Sequence, residues 1–169
     1  MLYEAKRNVF WTQGCLTVLL PHINIRMRID EVIAYHGTDA DITSFRPLSH
    51  FGSETAARDR MAYKKINGKI YQVELDIKNP AVIKDFAGIH APTQFAFALK
   101  NAGIIDQDEM MTVTTLAGKP EKQTPILVKL LTSKGYDGLA YKNRYEDKGH
   151  ISYVILDPSQ AKIVDKAQQ

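Results

Sequence analysis

Val32-Ile33-Ala34-Tyr35-His36-Gly37-Thr38 begins as a run of apolar and β-branched residues and ends beside a glycine. Val32–His36 suits a short buried strand. Its end presents an imidazole at the mouth of a sheet, next to a position without Cβ. A backbone lacking Cβ admits a flat ligand to its N–H and C=O groups. The plainer alternative for the same residues is a strand end with a turn glycine and a surface histidine.

Working outward, a loop with Asp39, Asp41, Ser44 and Pro47 leads to Ser49-His50-Phe51-Gly52-Ser53. Ser53 is placed to cap a helix that continues through Ala56, Ala57, Met61 and Ala62. Phe51 offers an aromatic face to a planar ring and His50 a polar contact beside it, although a capping segment with a hydrophobic staple has the same pattern. Asn67-Gly68 marks a turn before Lys69–Ile77, where Tyr71, Val73, Leu75 and Ile77 alternate as in a half-buried strand. Pro80 is expected to close that strand. Residues 84–112 read as short helices, with Phe95, Leu99 and Ala102 on one face before Gly103. Residues 112–124 read as a polar loop, and Pro125–Ser133 as a helix framed by its proline and Gly135. Leu139–Tyr141 and Ser152–Leu156 read as strands around a charged loop, with Ala161–Val164 as a last edge. The fold class is α+β.

The chain has 169 residues, 44% of them hydrophobic and 24% charged. Those values suit one domain large enough to need neither a disulfide nor a metal for its stability. The formal charge of +3 is uneven: Lys6, Arg7 and Arg26 against Glu4 leave residues 1–26 at +2 and residues 27–169 at +1. Residues 1–26 read as an extension, with Met27 as an alternative start, and residues 27–169 as the domain. One cysteine, Cys15, leaves no disulfide framework or multi-cysteine zinc site, and points to a reducing setting, the cytoplasm or a host cytoplasm, although a secreted disulfide-free toxin has the same composition. The apolar run Cys15–Leu20 is far shorter than the ~20 residues that span a bilayer, and it is a poor signal peptide. No glycine-rich phosphate loop, G-x-S-x-G elbow or H-x-x-x-H pair occurs, so metal ligands are not expected.

A third constellation is Gly135-Tyr136-Asp137-Gly138 followed by Tyr141, Asn143, Glu146 and Ser152-Tyr153-Val154-Ile155. Glu146 lies between two expected strands, where a carboxylate either points into a cleft or, with Asp147, belongs to a solvated tip among Lys142, Arg144 and Lys148.

In this order the three segments resemble the ADP-ribosyltransferase superfold, in its diphtheria-toxin and poly(ADP-ribose) polymerase-like branch with a His-Tyr-Glu triad. Small versions of that domain occur in phage and in bacterial polyvalent or toxin proteins. Tyr35-His36-Gly37-Thr38 is similar to the first motif, and His50-Phe51-Gly52-Ser53 to the second in a histidine-containing form. Gly135–Asn143 and Ser152–Gln160 are similar to the third, whose last strand ends in a Pro-x-Gln turn. About residues 28–165 are covered. The second motif usually has Tyr where His50 stands, with Tyr63 or Phe51 as candidates for the missing ring. The third usually has Glu where Ser152 stands; Glu146 is the nearest substitute and Asp147 the next.

The resemblance implies a split β-sandwich of two small sheets with flanking helices, and NAD as co-substrate lying across the split. It implies that His36 bonds the adenosine ribose, that the Gly37 backbone clamps the nicotinamide carboxamide, and that Thr38 adds a contact. Tyr35, Phe51, Gly52, Ser53, Tyr63 and Ser152 would complete the NAD site, with His36, His50 and Glu146 nearest the chemistry. Loss of nicotinamide builds positive charge on the ribose, as in glycoside hydrolysis, and a carboxylate there stabilises it. The implied activity is mono-ADP-ribosylation of a macromolecule, a protein in preference to nucleic acid, by a phage or bacterial effector, toxin or anti-defence protein. Two alternatives share the fold: a catalytically silent NAD-binding or interaction module, and an NAD-dependent RNA 2′-phosphotransferase drawing on Arg46, Arg58, Arg60 and Arg144.

Overall fold

The computed structural model describes residues 9–12, 15–20, 23–28, 32–65, 67–85 and 91–168; His22 and His90, weighed in the sequence as structural or exposed, lie outside them. The first strands are β1 (Val9–Thr12), β2 (Cys15–Leu20) and β3 (Ile23–Arg28). They pair antiparallel in the order β1-β2-β3, so the apolar run Cys15–Leu20 is a central strand, and β3 passes through residues 26 and 27.

After these come β4 (Val32–Thr38), β5 (His50–Phe51), α1 (Glu54–Lys64) and β6 (Lys69–Leu75). Next are β7 (Pro80–Lys84), α2 (Pro92–Asn101), α3 (Gln107–Thr114) and α4 (Pro120–Ser133). The chain continues through β8 (Gly138–Lys142), β9 (Ile151–Ile155) and, after a 3-10 turn at Pro158–Gln160, β10 (Ala161–Gln168). One antiparallel sheet has the order β10-β6-β4, and a mixed sheet has the order β5-β9-β8-β7 with β7 and β8 parallel. From β4 onward the fold is α+β, two small sheets with helices against them. Among the described residues no helix is long and apolar enough to cross a membrane.

The alternation in Lys69–Ile77 does its expected work. Tyr71, Val73, Leu75 and Ile77 are all buried and meet Ala34, Phe45, Phe51 and Ile155 between the sheets. Ile70, on the opposite face, is also buried, because α1 lays Ala57 and Met61 over it. On the mixed sheet, Leu139, Tyr141, Val154 and Ile83 pack with Phe95, Leu99, Val113, Leu127 and Leu131 of the three helices.

Two expectations are corrected. Pro80 does not close a strand; it opens β7, a strand not foreseen between β6 and the helices expected over residues 84–112. The missing N–H is tolerated because Pro80 is the first residue of a strand at the sheet edge. Residues 112–124 are not one polar loop: α3 runs through Thr114 and α4 begins at Pro120, with Pro125 inside the helix. The polar segment folds because Gln123, 1% exposed, donates from Nε2 to Thr93 Oγ1 at 2.7 Å and to the Val113 carbonyl at 2.9 Å. One amide therefore ties together the starts of α2 and α4 and the end of α3.

The expected Pro-x-Gln turn is a joint between the sheets. Gln160 Oε1 accepts from the backbone of Leu156 and Asp157, and Nε2 donates to the carbonyls of Asp137 and Asp76. The Asp137 carboxylate in turn accepts from the Lys78 and Asn79 N–H groups at 2.7 and 2.8 Å. Replacing Gln123 by Leu should lower unfolding free energy by about 1–3 kcal/mol, the usual cost of stranding a buried acceptor; urea denaturation measures it, and an unchanged midpoint would exclude this role.

Candidate active site

The seam between the sheets starts as an ordinary antiparallel rung. Tyr35 N–H donates to the Gly52 carbonyl at 2.8 Å, and Gly52 N–H to the Tyr35 carbonyl at 3.1 Å. In an antiparallel strand both backbone groups of alternate residues face the same edge, so Gly37 directs its N–H and C=O toward the edge used by Tyr35. The next rung would join Gly37 to His50. Instead the His50 carbonyl accepts from His36 Nδ1 at 2.8 Å. The sheets part at that point, and a cleft of about 560 Å³ opens there, within the size range of sites for small molecules and cofactors.

His36 is held as the Nδ1–H tautomer, which leaves the Nε2 lone pair as an acceptor. Burial pushes its pKa below the ordinary 6.5, the bond to the His50 carbonyl opposes that, and the nearby Lys64 charge assists it. Its ring packs against Phe45 and Phe51, with centroids 5.3 and 5.7 Å away. His50 stacks on Phe95 at 5.4 Å, and its Nδ1 shares a 3.0 Å hydrogen bond with the Tyr141 hydroxyl. Burial, then the Asp85 charge, pushes the Tyr141 phenol far up, so it stays an O–H; its bond with Ser152 pulls the other way.

Helix α1 forms one wall. Ser53 caps it by accepting from Ala56 N–H at 3.1 Å. Ala56, Asp59, Arg60, Tyr63 and Lys64, at helical spacing i, i+3, i+4, i+7 and i+8, face the cleft. Gly37 lets that helix come close: a Cβ there would lie 2.6 Å from Met61 Sδ and 2.9 Å from the Ala57 carbonyl. The demand for glycine at 37 thus comes from the helix. Asp85, Tyr145 and Glu146 also line the cleft. Glu146 Oε1 accepts from Arg60 Nη1 at 3.3 Å.

Of the residues singled out in the sequence, Tyr35, His36, Gly37, His50, Phe51, Gly52, Tyr63, Glu146 and Ser152 line this cleft, whereas Thr38 and Ser53 do not. Thr38 Oγ1 accepts from Ala40 N–H at 3.2 Å, and Ser53 is occupied with the helix start. Phe51 is 1% exposed and set edge-on to Phe45 at 4.8 Å, while Tyr63 is 81% exposed. Asp147 is turned from the cleft: Ser53 Oγ donates to its Oδ2, and its Oδ1 pairs with His150 Nδ1 at 3.0 Å. Of the four arginines considered, Arg60 alone lines the cleft; Arg58 pairs with Glu54 on the exposed side of α1.

The sequence reading missed Asp59, Lys64, Asp85 and Tyr145, and set Arg60 aside for another reaction. The α1 residues carry a signal, since they fall on one helical face with Ala56. Asp85, a buried carboxylate accepting from Arg144 N–H at 2.7 Å, carries none, because it follows the strand that Pro80 disguised. Among the described residues no group of three or more His, Cys, Asp or Glu could hold a metal ion.

A two-sheet α+β fold with a ligand-sized cleft where the sheets separate is the architecture the three sequence motifs imply. Residues 31–169 match the family described as ADP-ribosyltransferase in polyvalent proteins, and the chain belongs to that family. No curated protein matches the sequence. A solved structure described as an anti-CRISPR protein is similar over 82% of this chain and 97% of its own, with 12% identity and a TM-score of 0.40.

Two measurements check this geometry. Gly37→Ala should cost about 1–3 kcal/mol of stability through overpacking, and adding Met61→Ala should recover part of it; additive losses would show that the two positions do not meet. The lowered pKa of His36 means that just below pH 6.5 the unfolded chain binds the extra proton. Stability should therefore fall as pH drops from about 7 to about 5.5, a range above ordinary carboxylate titration. His36→Gln should flatten that fall in urea midpoint.

Proposed function

We propose that the protein is an NAD-dependent mono-ADP-ribosyltransferase that modifies a macromolecular target, a protein in preference to nucleic acid, as a phage or bacterial effector. The observation that carries this reading is that His36 and Glu146, 110 positions apart in the chain, border one cleft at the split between the sheets.

The residues suit the parts of NAD. His36, neutral and with its Nε2 lone pair available, accepts a hydrogen bond from a hydroxyl of the adenosine ribose. Gly37 turns a backbone N–H and C=O to the open edge, a donor and acceptor matched to a carboxamide. Tyr63 supplies an exposed ring at the cleft, the better candidate of the two aromatics because Phe51 is sealed in the core. In the reaction the C–N bond between ribose and nicotinamide breaks with its electron pair going to the ring nitrogen, and the acceptor atom bonds the ribose carbon as its proton leaves. Glu146, held by Arg60, sets a negative charge beside the ribose, where positive charge develops. Ser152, in the place where the third motif usually has Glu, is 4% exposed and bonded to Tyr141, so it braces the floor of the cleft.

The test is incubation with labelled NAD and cell lysate. Glu146→Gln should lower transfer at least about 100-fold while NAD binding, measured by calorimetry, persists. Unchanged transfer would remove Glu146 from the reaction. Wild-type protein that binds NAD and releases no nicotinamide would instead support the silent binding module.

A further inference from the structure

The segment 143–150 leaves β8 and returns as β9. Its base is closed by Asn143 N–H to the His150 carbonyl at 2.8 Å and Gly149 N–H to the Asn143 carbonyl at 2.9 Å. Its tip carries Glu146 into the cleft, and that tip is fastened to α1. Ser53 Oγ donates to Asp147 Oδ2, Asp147 N–H donates to Asp59 Oδ2 at 3.2 Å, and Arg60 reaches Glu146. Two of these three bonds belong to Asp147.

Its backbone explains how neighbouring carboxylates part company. Asp147 has φ of 36°, in the left-handed region that non-glycine residues enter at a cost and that Asp and Asn tolerate best. The kink sends Glu146 into the cleft and Asp147 to the first turn of α1. There the Ser53 oxygen accepts from Ala56 N–H, and its single proton is donated to the Asp147 carboxylate, which can only accept. A carboxylate at a helix N-terminus is also favoured by the helix dipole. The side-chain bonds therefore hold the backbone conformation that aims Glu146.

We infer that Asp147 is a positioning residue, the anchor that straps segment 143–150 to the start of α1 and so sets where Glu146 stands in the cleft. This inference rests on the reading of Glu146 as the group beside the ribose. Asp147 itself reaches no reacting atom. Its loss acts through the placement of Glu146, and misplacement of about 1 Å costs up to ~100-fold in rate.

The experiment compares Asp147→Ala, Asp147→Asn and Glu146→Gln in the full chain, by NAD-transfer kinetics and by hydrogen–deuterium exchange of residues 143–150. Asp147→Ala should lower kcat about 10- to 100-fold, leave KM for NAD within about 2-fold, and speed exchange in 143–150. Asp147→Asn keeps an acceptor for Ser53 and tolerates the left-handed backbone, so it should restore most of kcat and of the protection. Asp147→Ala with unchanged kcat and exchange, alongside an inactive Glu146→Gln, would overturn the anchor and spare the reading of Glu146. If Asp147→Asn is as inactive as Asp147→Ala while Glu146→Gln is active, Asp147 is the reacting carboxylate and both ideas fail. If wild type turns over no NAD, exchange alone decides the anchor: equal rates in all variants would reject it.

Discussion

The structure depends on a sheet that stops one rung short. Tyr35 and Gly52 exchange two backbone hydrogen bonds, and the next carbonyl in line, that of His50, is taken by the imidazole of His36. A side chain standing in for a backbone donor leaves the backbone edge of Gly37 facing the cleft. It also lets β5 leave β4 and remain in the mixed sheet through β9. The cleft follows from that substitution, because two sheets joined at one edge and splayed beyond it must enclose a wedge. Aromatic packing makes the arrangement rigid: His36, Phe45 and Phe51 fill the apex of the wedge, with Tyr71 beneath them.

The wedge becomes a site because α1 and segment 143–150 both line it and are bonded to each other. The helix can approach only because residue 37 lacks a Cβ, and it brings Arg60 and Lys64 to the wall. Far from the seam, Gln160 and Asp137 bind the ends of β6, β7, β8 and β10 into one joint. This joint lies at the Val32–Leu75 end of the antiparallel sheet, on the closed side of the seam, so the sheets are held together there and part toward Gly37 and Thr38.

Much of this was legible in the chain. The strand at Val32, the cap at Ser53 and the alternation through Tyr71 and Ile77 rest on local rules that the tertiary structure did not override, whereas the turn at Pro158–Gln160 came from the family resemblance. The failures have a common cause. Pro80 looks like a strand breaker unless its strand is known to lie at a sheet edge, and Gln123 looks like loop composition unless its two buried partners are known. In the site, His36, His50 and Glu146 were visible as reactive side chains near strand ends. Asp85 was hidden with its strand, whereas Asp59 and Lys64 were legible through their helical spacing from Ala56, which sets them beside Arg60 and Tyr63.

By itself the sequence determined the elements that depend on neighbours a few residues away, and the chemical types available at their ends. Backbone propensity, capping and alternation act over such distances, so they can be read in one dimension. Only the tertiary structure decided which of two adjacent carboxylates enters the cleft, because Glu146 and Asp147 differ by one rotation of the backbone. That rotation is set by Ser53 and Asp59, which are distant in the chain and adjacent in space. It also decided why residue 37 is glycine: the space a side chain would need belongs to Met61, and no spacing rule along the strand records that.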